Sequence, residues 1–127
     1  MIFSCTAMGK ITYELTASDA DLTDAFDIRR QAFVSERGIS EDLVFDNNDR
    51  DALHLVVRDG KRAIGTARVR FLGNNQAKLE RMAVAKGFRH KGIGRGIIDF
   101  LDKELRGKQV EQVVIHAQEG AIEVYKS

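Results

Sequence analysis

Apolar residues alternate at Ile11, Tyr13 and Leu15, the period of a half-buried strand. A helical spacing follows. Leu22, Ala25, Phe26, Ile28, Ala32 and Phe33 roughly keep the 3.6-residue period, and Ser18 or Asp19 can cap a helix running to about Glu36. From Gly38 to Asp51 neither period holds, and the segment is polar, rich in Asp and Asn. Leu53 to Arg58 reads as a buried strand, closed by the hairpin signal Asp59-Gly60. In Arg62 to Leu72, Ile64, Thr66, Arg68 and Arg70 alternate against Ala63, Ala67, Val69 and Phe71. Gly73-Asn74-Asn75 turns that strand into the next, Gln76 to Val84. A helix from Ile93 presents Ile97, Ile98, Leu101 and Leu105 on one face. Val110 to Ala117 reads as a strand, and Gly120 to Ser127 is expected to begin a last helix. The order is β-α-(α or loop)-β-β-β-α-β-α, a mixed α/β layer around an antiparallel meander. No internal repeat, linker or low-complexity segment interrupts it.

Composition narrows the class without naming it. The chain has 127 residues, enough for one domain with a real core. A net charge of +1 argues against a nucleic-acid binder, since no broad basic face is implied. One cysteine, Cys5, excludes an intrachain disulfide framework and suits a reducing, cytoplasmic compartment. No apolar run reaches the roughly 20 residues that span a bilayer, and the N-terminus lacks the charge and apolar core of a signal peptide. Met8 can serve as the start, which makes the first seven residues an extension, and residues 1–9 are read as lying ahead of the domain. No histidine spacing suggests a metal site, and the Asp46–Asp51 run lacks the Gly and Glu of a calcium loop. No metal is expected. That acidic run reads first as a solvated loop, with a second reading as a loop facing and attracting a cationic amine.

The chemistry concentrates in Arg89-His90-Lys91-Gly92-Ile93-Gly94, between the strand Leu79-Glu80-Arg81-Met82-Ala83-Val84 and the helix from Ile93. Two glycines permit a tight turn and close backbone approach, and a helix N-terminus offers unpaired N–H groups and positive potential. A Walker A loop is excluded, because Ile93-Gly94 stands where Lys-Ser/Thr is required. A dinucleotide fingerprint is excluded by the interval to Gly96. The spacing that fits is R/Q-x-x-G-x-G/A.

That motif, with the strand before it and the helix after it, resembles the pyrophosphate loop of the GNAT superfamily of acyl-CoA N-acyltransferases. Ile28-Arg29-Arg30-Gln31-Ala32-Phe33-Val34-x-Glu36 with Phe45-Asp46, Leu79 to Val84, and His116-Ala117-Gln118 with Val124-Tyr125-Lys126 look like the ElaA/YjcF-like subgroup. The resemblance covers residue 10 to residue 127. It implies an α+β layered GNAT fold, a mixed, mostly antiparallel sheet flanked by helices, and an acetyl-CoA cosubstrate. It implies that main-chain groups of Met82, Ala83 and Val84 bind the pantetheine arm, one of their N–H groups serving as oxyanion donor. The loop Arg89, His90, Lys91, Gly92, Ile93, Gly94 and Arg95 would take the pyrophosphate. It places Tyr125 as general acid for the CoA thiolate and Glu80 as general base, with Glu41 a weaker candidate. Relatives usually continue past this tyrosine with Gly-Phe and a last hairpin. The expectation is therefore a sheet short of C-terminal strands, its fifth strand covered by further residues or by a second copy in a homodimer. Glu119-Gly120 stands where many relatives place an Asn on the pantetheine arm.

The expected reaction is acetyl transfer to a primary amine, either a small molecule or a peptide N-terminus, by direct attack. The alternatives are a CoA-binding sensor or subunit without turnover, and a regulatory domain using the loop for another nucleotide.

Overall fold

The computed structural model describes residues 10–116 and 122–126. The strands β1 (Ile11–Leu15), β2 (Leu53–Asp59), β3 (Arg62–Gly73), β4 (Gln76–Val84), β5 (Gln112–His116) and β6 (Ile122–Lys126) form one sheet in chain order. All neighbours are antiparallel except β4 and β5. A parallel pair needs a crossover, which α3 (Ile93–Arg106) supplies. The remaining helices are α1 (Asp19–Arg29) and the single turn α2 (Glu41–Val44).

Strand alternation sorts the two faces of the sheet. Leu55, Val57, Ala77 and Leu79 pack with Ile93, Ile97, Leu101 and Leu105 of α3 in the main core. Their neighbours His54 and Arg58 turn to the other face, where they bond Arg29, Asp21 and Asp24 of α1. Ser18 caps α1 by accepting the Asp21 N–H at 3.1 Å. The helix expected to reach Glu36 does so in two forms. After Arg29 it widens into a π-helical turn, Arg30–Ser35, in which Glu36 N–H reaches Gln31 O at 3.0 Å.

The alternation breaks once in β4. Thr66 pairs with Ala83 and Arg68 with Glu80, so the single residue Ala67 faces both Arg81 and Met82. This β-bulge puts Arg81 at φ 54. It also reverses which side chains meet which face. Leu79, Met82 and Val84 join the α3 core, while Ala83 packs with Ile28 and Ala32.

The C-terminal expectation is corrected. Ile122–Lys126 is a strand, antiparallel to β5, and not a helix. Ile122 and Val124 alternate with Glu123, β-branched residues suit a strand, and the edge of β5 offers a row of groups to pair with. The chain itself therefore covers β5, and the case for a second copy over that strand lapses. Residues 1–9, read as an extension, lie outside the described residues, as do Glu119 and Gly120.

Candidate functional site

The site begins where β4 and β5 part. Their ladder runs only from Gln76–Gln112 to Leu79–Ile115. Past Leu79, β4 continues through the bulge to Val84, whereas β5 ends at His116. Ala85 N–H donates to Ile64 O at 2.7 Å, so the β3–β4 alternation turns the Val84 amide and carbonyl away from β3, into this opening. The result is a length of strand edge with no strand beside it. An extended polyamide arm can add to such an edge through main-chain hydrogen bonds.

The glycine-bearing loop closes the far end of the opening. A 3-10 turn, Lys86–Phe88, leads into Arg89 in extended conformation. His90 (φ 63) and Gly92 (φ 83) both take left-handed backbone, and Gly92 is the N-cap of α3. No side chain caps that helix, so its first N–H groups stay available to a ligand. A Cβ placed on Gly94 would meet nothing within 4 Å, so the cradle beside the helix start is open. Gly96 differs: a Cβ there would run into the Tyr13 phenol, so this glycine serves packing. His90 and Lys91 are exposed, as is Arg95, 3.7 Å from Asp99. Arg89 is turned back. Its Nε donates to Val84 O at 2.8 Å and its Nη2 to Glu36 at 2.7 Å, tying the loop to the end of β4 and to the π-helical turn.

Beneath the α1 face lies an ionic cluster. Arg29 and Arg68 are 0% and 1% exposed. Arg29 pairs with Asp49 at 2.8 Å; Arg68 pairs with Asp46 at 2.6 Å, with Asp49 at 2.9 Å and with Glu80. Arg70 (2.7 Å) and Lys78 (3.4 Å) complete the shell around Glu80. Burial alone would raise the Glu80 carboxyl, but hydrogen bonds from Arg70 and Arg68 outweigh it and hold the group at about 2. A separate hydrogen bond from Arg68 lowers Asp46. His54, buried, accepts from Arg29 at Nδ1 (3.3 Å) and donates from Nε2 to Asp49 O (2.9 Å), which makes it the neutral Nε2–H tautomer. Burial lowers its pKa in keeping with that.

This arrangement changes two expectations. Glu80 does lie at the parting of β4 and β5, but a carboxylate with three cationic partners and a pKa of about 2 is a poor proton acceptor at neutral pH. Two carboxylates of the acidic run, Asp46 and Asp49, are not free to attract amines, while Asp51 stays exposed. Asp46 and Asp49 point inward and neutralise Arg68, Arg29 and Arg81. Tyr125 stands on β6, with its Cα in the row of Val113 and Ala77. That is two rows, about 7 Å, from the last paired row of β4 and β5. Glu41 sits at the start of α2, 3.5 Å from Arg30. Sequence reasoning missed the buried Arg29 and Arg68 and the bulge at Arg81.

The sequence matches the profile of the Acetyltransferase (GNAT) family over residues 22–127. A candidate acetyltransferase of Bacillus subtilis is 35% identical over 112 residues, covering 86% of this chain and 76% of the relative. The uncharacterized N-acetyltransferase YjcF of the same organism is 30% identical, covering 88% and 79%. Among solved structures, a candidate N-acetyltransferase from Lactobacillus plantarum superposes with TM-score 0.79 at 27% identity, covering 84% and 75%. Escherichia coli ElaA gives 0.74 at 17% identity over 85% and 78%. A Brucella melitensis GNAT family acetyltransferase, solved in complex with acetyl-CoA, gives 0.72 at 15% over 91% and 87%. These matches bear out the resemblance to the GNAT family and its ElaA/YjcF-like subgroup.

Proposed function

The chain belongs to the GNAT acetyltransferase family, and from that premise we propose that it transfers an acetyl group from acetyl-CoA to a primary amine by direct attack. The observation that carries the reading is that the edge of β4 left without a strand is tied through Arg89 to the loop that opens the uncapped α3. In this reading the pantetheine amides hydrogen-bond Met82 and Val84, filling the place a strand would take. The pyrophosphate lies on the amides of Gly92 to Arg95, with Lys91 and His90 flanking it. Arg89 shapes the loop from behind.

The chemistry needs little from side chains. The amine lone pair attacks the thioester carbonyl, and a β4 main-chain N–H stabilises the oxyanion. The carbon–sulfur bond breaks, and Tyr125 protonates the leaving thiolate; the phenol, ordinarily near 10, gives its proton up only when placed within hydrogen-bond reach. The surplus proton on nitrogen passes to water in the opening. Glu80 holds Arg68 and Arg70 beneath the site and does not act as the base. Positioning supplies most of the rate.

Thermal unfolding with CoA or acetyl-CoA tests the proposal. Ligand at about 100 times its dissociation constant adds about 2.7 kcal/mol, an easily read shift. Gly94→Val fills the cradle and removes the shift without straining the free protein. No shift in the wild type at millimolar CoA overturns the reading. Thiol release from acetyl-CoA across a panel of amines then identifies the acceptor.

A further inference from the structure

Arg81 occupies the one place in β4 where a long side chain is least expected. Its φ of 54 lies in the left-handed region, which is costly for any residue but glycine. Its side chain, 24% exposed, reaches from the sheet to the end of α2. Nε donates to Val44 O at 3.0 Å, and Nη2 donates to Leu43 O at 3.0 Å and to Asp46 at 3.2 Å.

These acceptors share a cause. α2 is one turn long, so its last carbonyls have no partner within the helix. A cation at a helix C-terminus meets both that need and the local negative potential. Val44 is buried, but Leu43 is 68% exposed, so apolar packing holds only one side of the turn. Asp46, just beyond α2, also binds Arg68. The carbonyls that end α2 are thus bound by the residue that makes the bulge, while Arg68 holds Asp46 and Phe45 packs on Phe26. The residues after the bulge, Met82 to Val84, are the edge assigned above to the pantetheine arm.

We propose that Arg81 is a positioning residue that couples the two sides of the site: its guanidinium clamps α2 to the bulge, so that occupation of the β4 edge by CoA steadies residues 41–46. The proposal rests on the CoA reading. It gives α2 a defined part, as a wall whose placement follows cosubstrate binding.

Hydrogen exchange on the full chain, with and without saturating CoA, tests it. In the wild type CoA slows exchange both at residues 82–95 and at residues 41–46. Arg81→Gly tolerates the left-handed backbone and lacks only the clamp. It exchanges at 41–46 at least about fivefold faster than wild type, the ratio for a net loss of one hydrogen bond. In this variant CoA still protects 82–95 but no longer 41–46. Arg81→Lys, which keeps a donor, restores part of that protection. Wild-type protection confined to 82–95 overturns the coupling while leaving the CoA site intact. So does Arg81→Gly behaving as wild type at 41–46. Absence of protection at 82–95 in every variant overturns the CoA reading and the clamp with it.

Discussion

Replacing Glu80 with Gln distinguishes a structural carboxylate from a catalytic one. Folding lowers its carboxyl from 4.5 to about 2. At about 1.4 kcal/mol per tenfold change, that difference is worth about 3 kcal/mol of stability at neutral pH. The group is 4% exposed, so solvent screening takes little away. The sign follows from the direction: a depressed carboxyl contributes fully above its unfolded value and loses that contribution as pH falls through its folded value. The window is therefore pH 4.5 down to about 2. Breaking a buried pair by removing one partner costs about 3–5 kcal/mol, but Arg68 keeps Asp46 and Asp49, which places Glu80→Gln near the low end. For a chain of this size the melting point should drop by about 10 °C at pH 7. The deficit should shrink as the pH is lowered toward 2. Urea unfolding from pH 7 to pH 3 measures it, and acetylation measured where both proteins are folded completes the comparison. The reasoning predicts that the pH dependence of kcat/KM is unchanged in shape. A loss below about 1 kcal/mol at pH 7, or loss of the low-pH limb of the rate profile with stability intact, refutes it and returns Glu80 to the base role.

Three further outcomes follow. Tyr125→Phe lowers kcat with acetyl-CoA affinity nearly unchanged, and an unaltered kcat with a saturating amine removes Tyr125 from the chemistry. Gly96→Ala forces a methyl against the Tyr13 phenol, which stacks on Phe100 at 6.3 Å, and costs about 1–3 kcal/mol; in a Tyr13→Phe background the cost falls, and strict additivity in that cycle refutes the contact. Arg89→Ala frees Val84 O and Glu36, and weakens CoA binding more than Lys91→Ala does, read by calorimetry; the reverse order refutes the role of Arg89 as support for the loop.

The sequence was most legible where one force decided the outcome. The apolar stripe of α3 and the hairpin residues at Gly60 and Gly73–Asn75 announced themselves by period and backbone demand. The turn into α3 was legible because glycine spacing and helix start coincide. The bulge had a signal that period-2 reading discards: the apolar positions Leu79, Met82 and Val84 are three and two apart, so one residue between them must be extra. The buried Arg29 and Arg68 were not legible, because charged residues belong outside unless partners arrive from elsewhere, and theirs come from loop positions 46 and 49. β6 was misread because a short segment carries too little period to separate helix from strand, and the deciding term was the open edge of β5.

The order of strands has a consequence for how the molecule assembles. From β1 to β6, neighbours in the sheet are consecutive strands in the chain, and only β4–β5 is parallel. Three of the five pairings, β2–β3, β3–β4 and β5–β6, need only a short connection, and closing a short loop costs little entropy. The two halves of the sheet meet in a single parallel ladder four residues long, reached only after α3 has crossed over. That seam joins strands distant in sequence, and it has the fewest rungs of the five ladders. It should form late during refolding and open early under denaturant, so that the β5–β6 hairpin undocks while β1 to β4 keep their packing against α1. The strand edge that reads as the cosubstrate's and the start of α3 both belong to the side of the seam that stays.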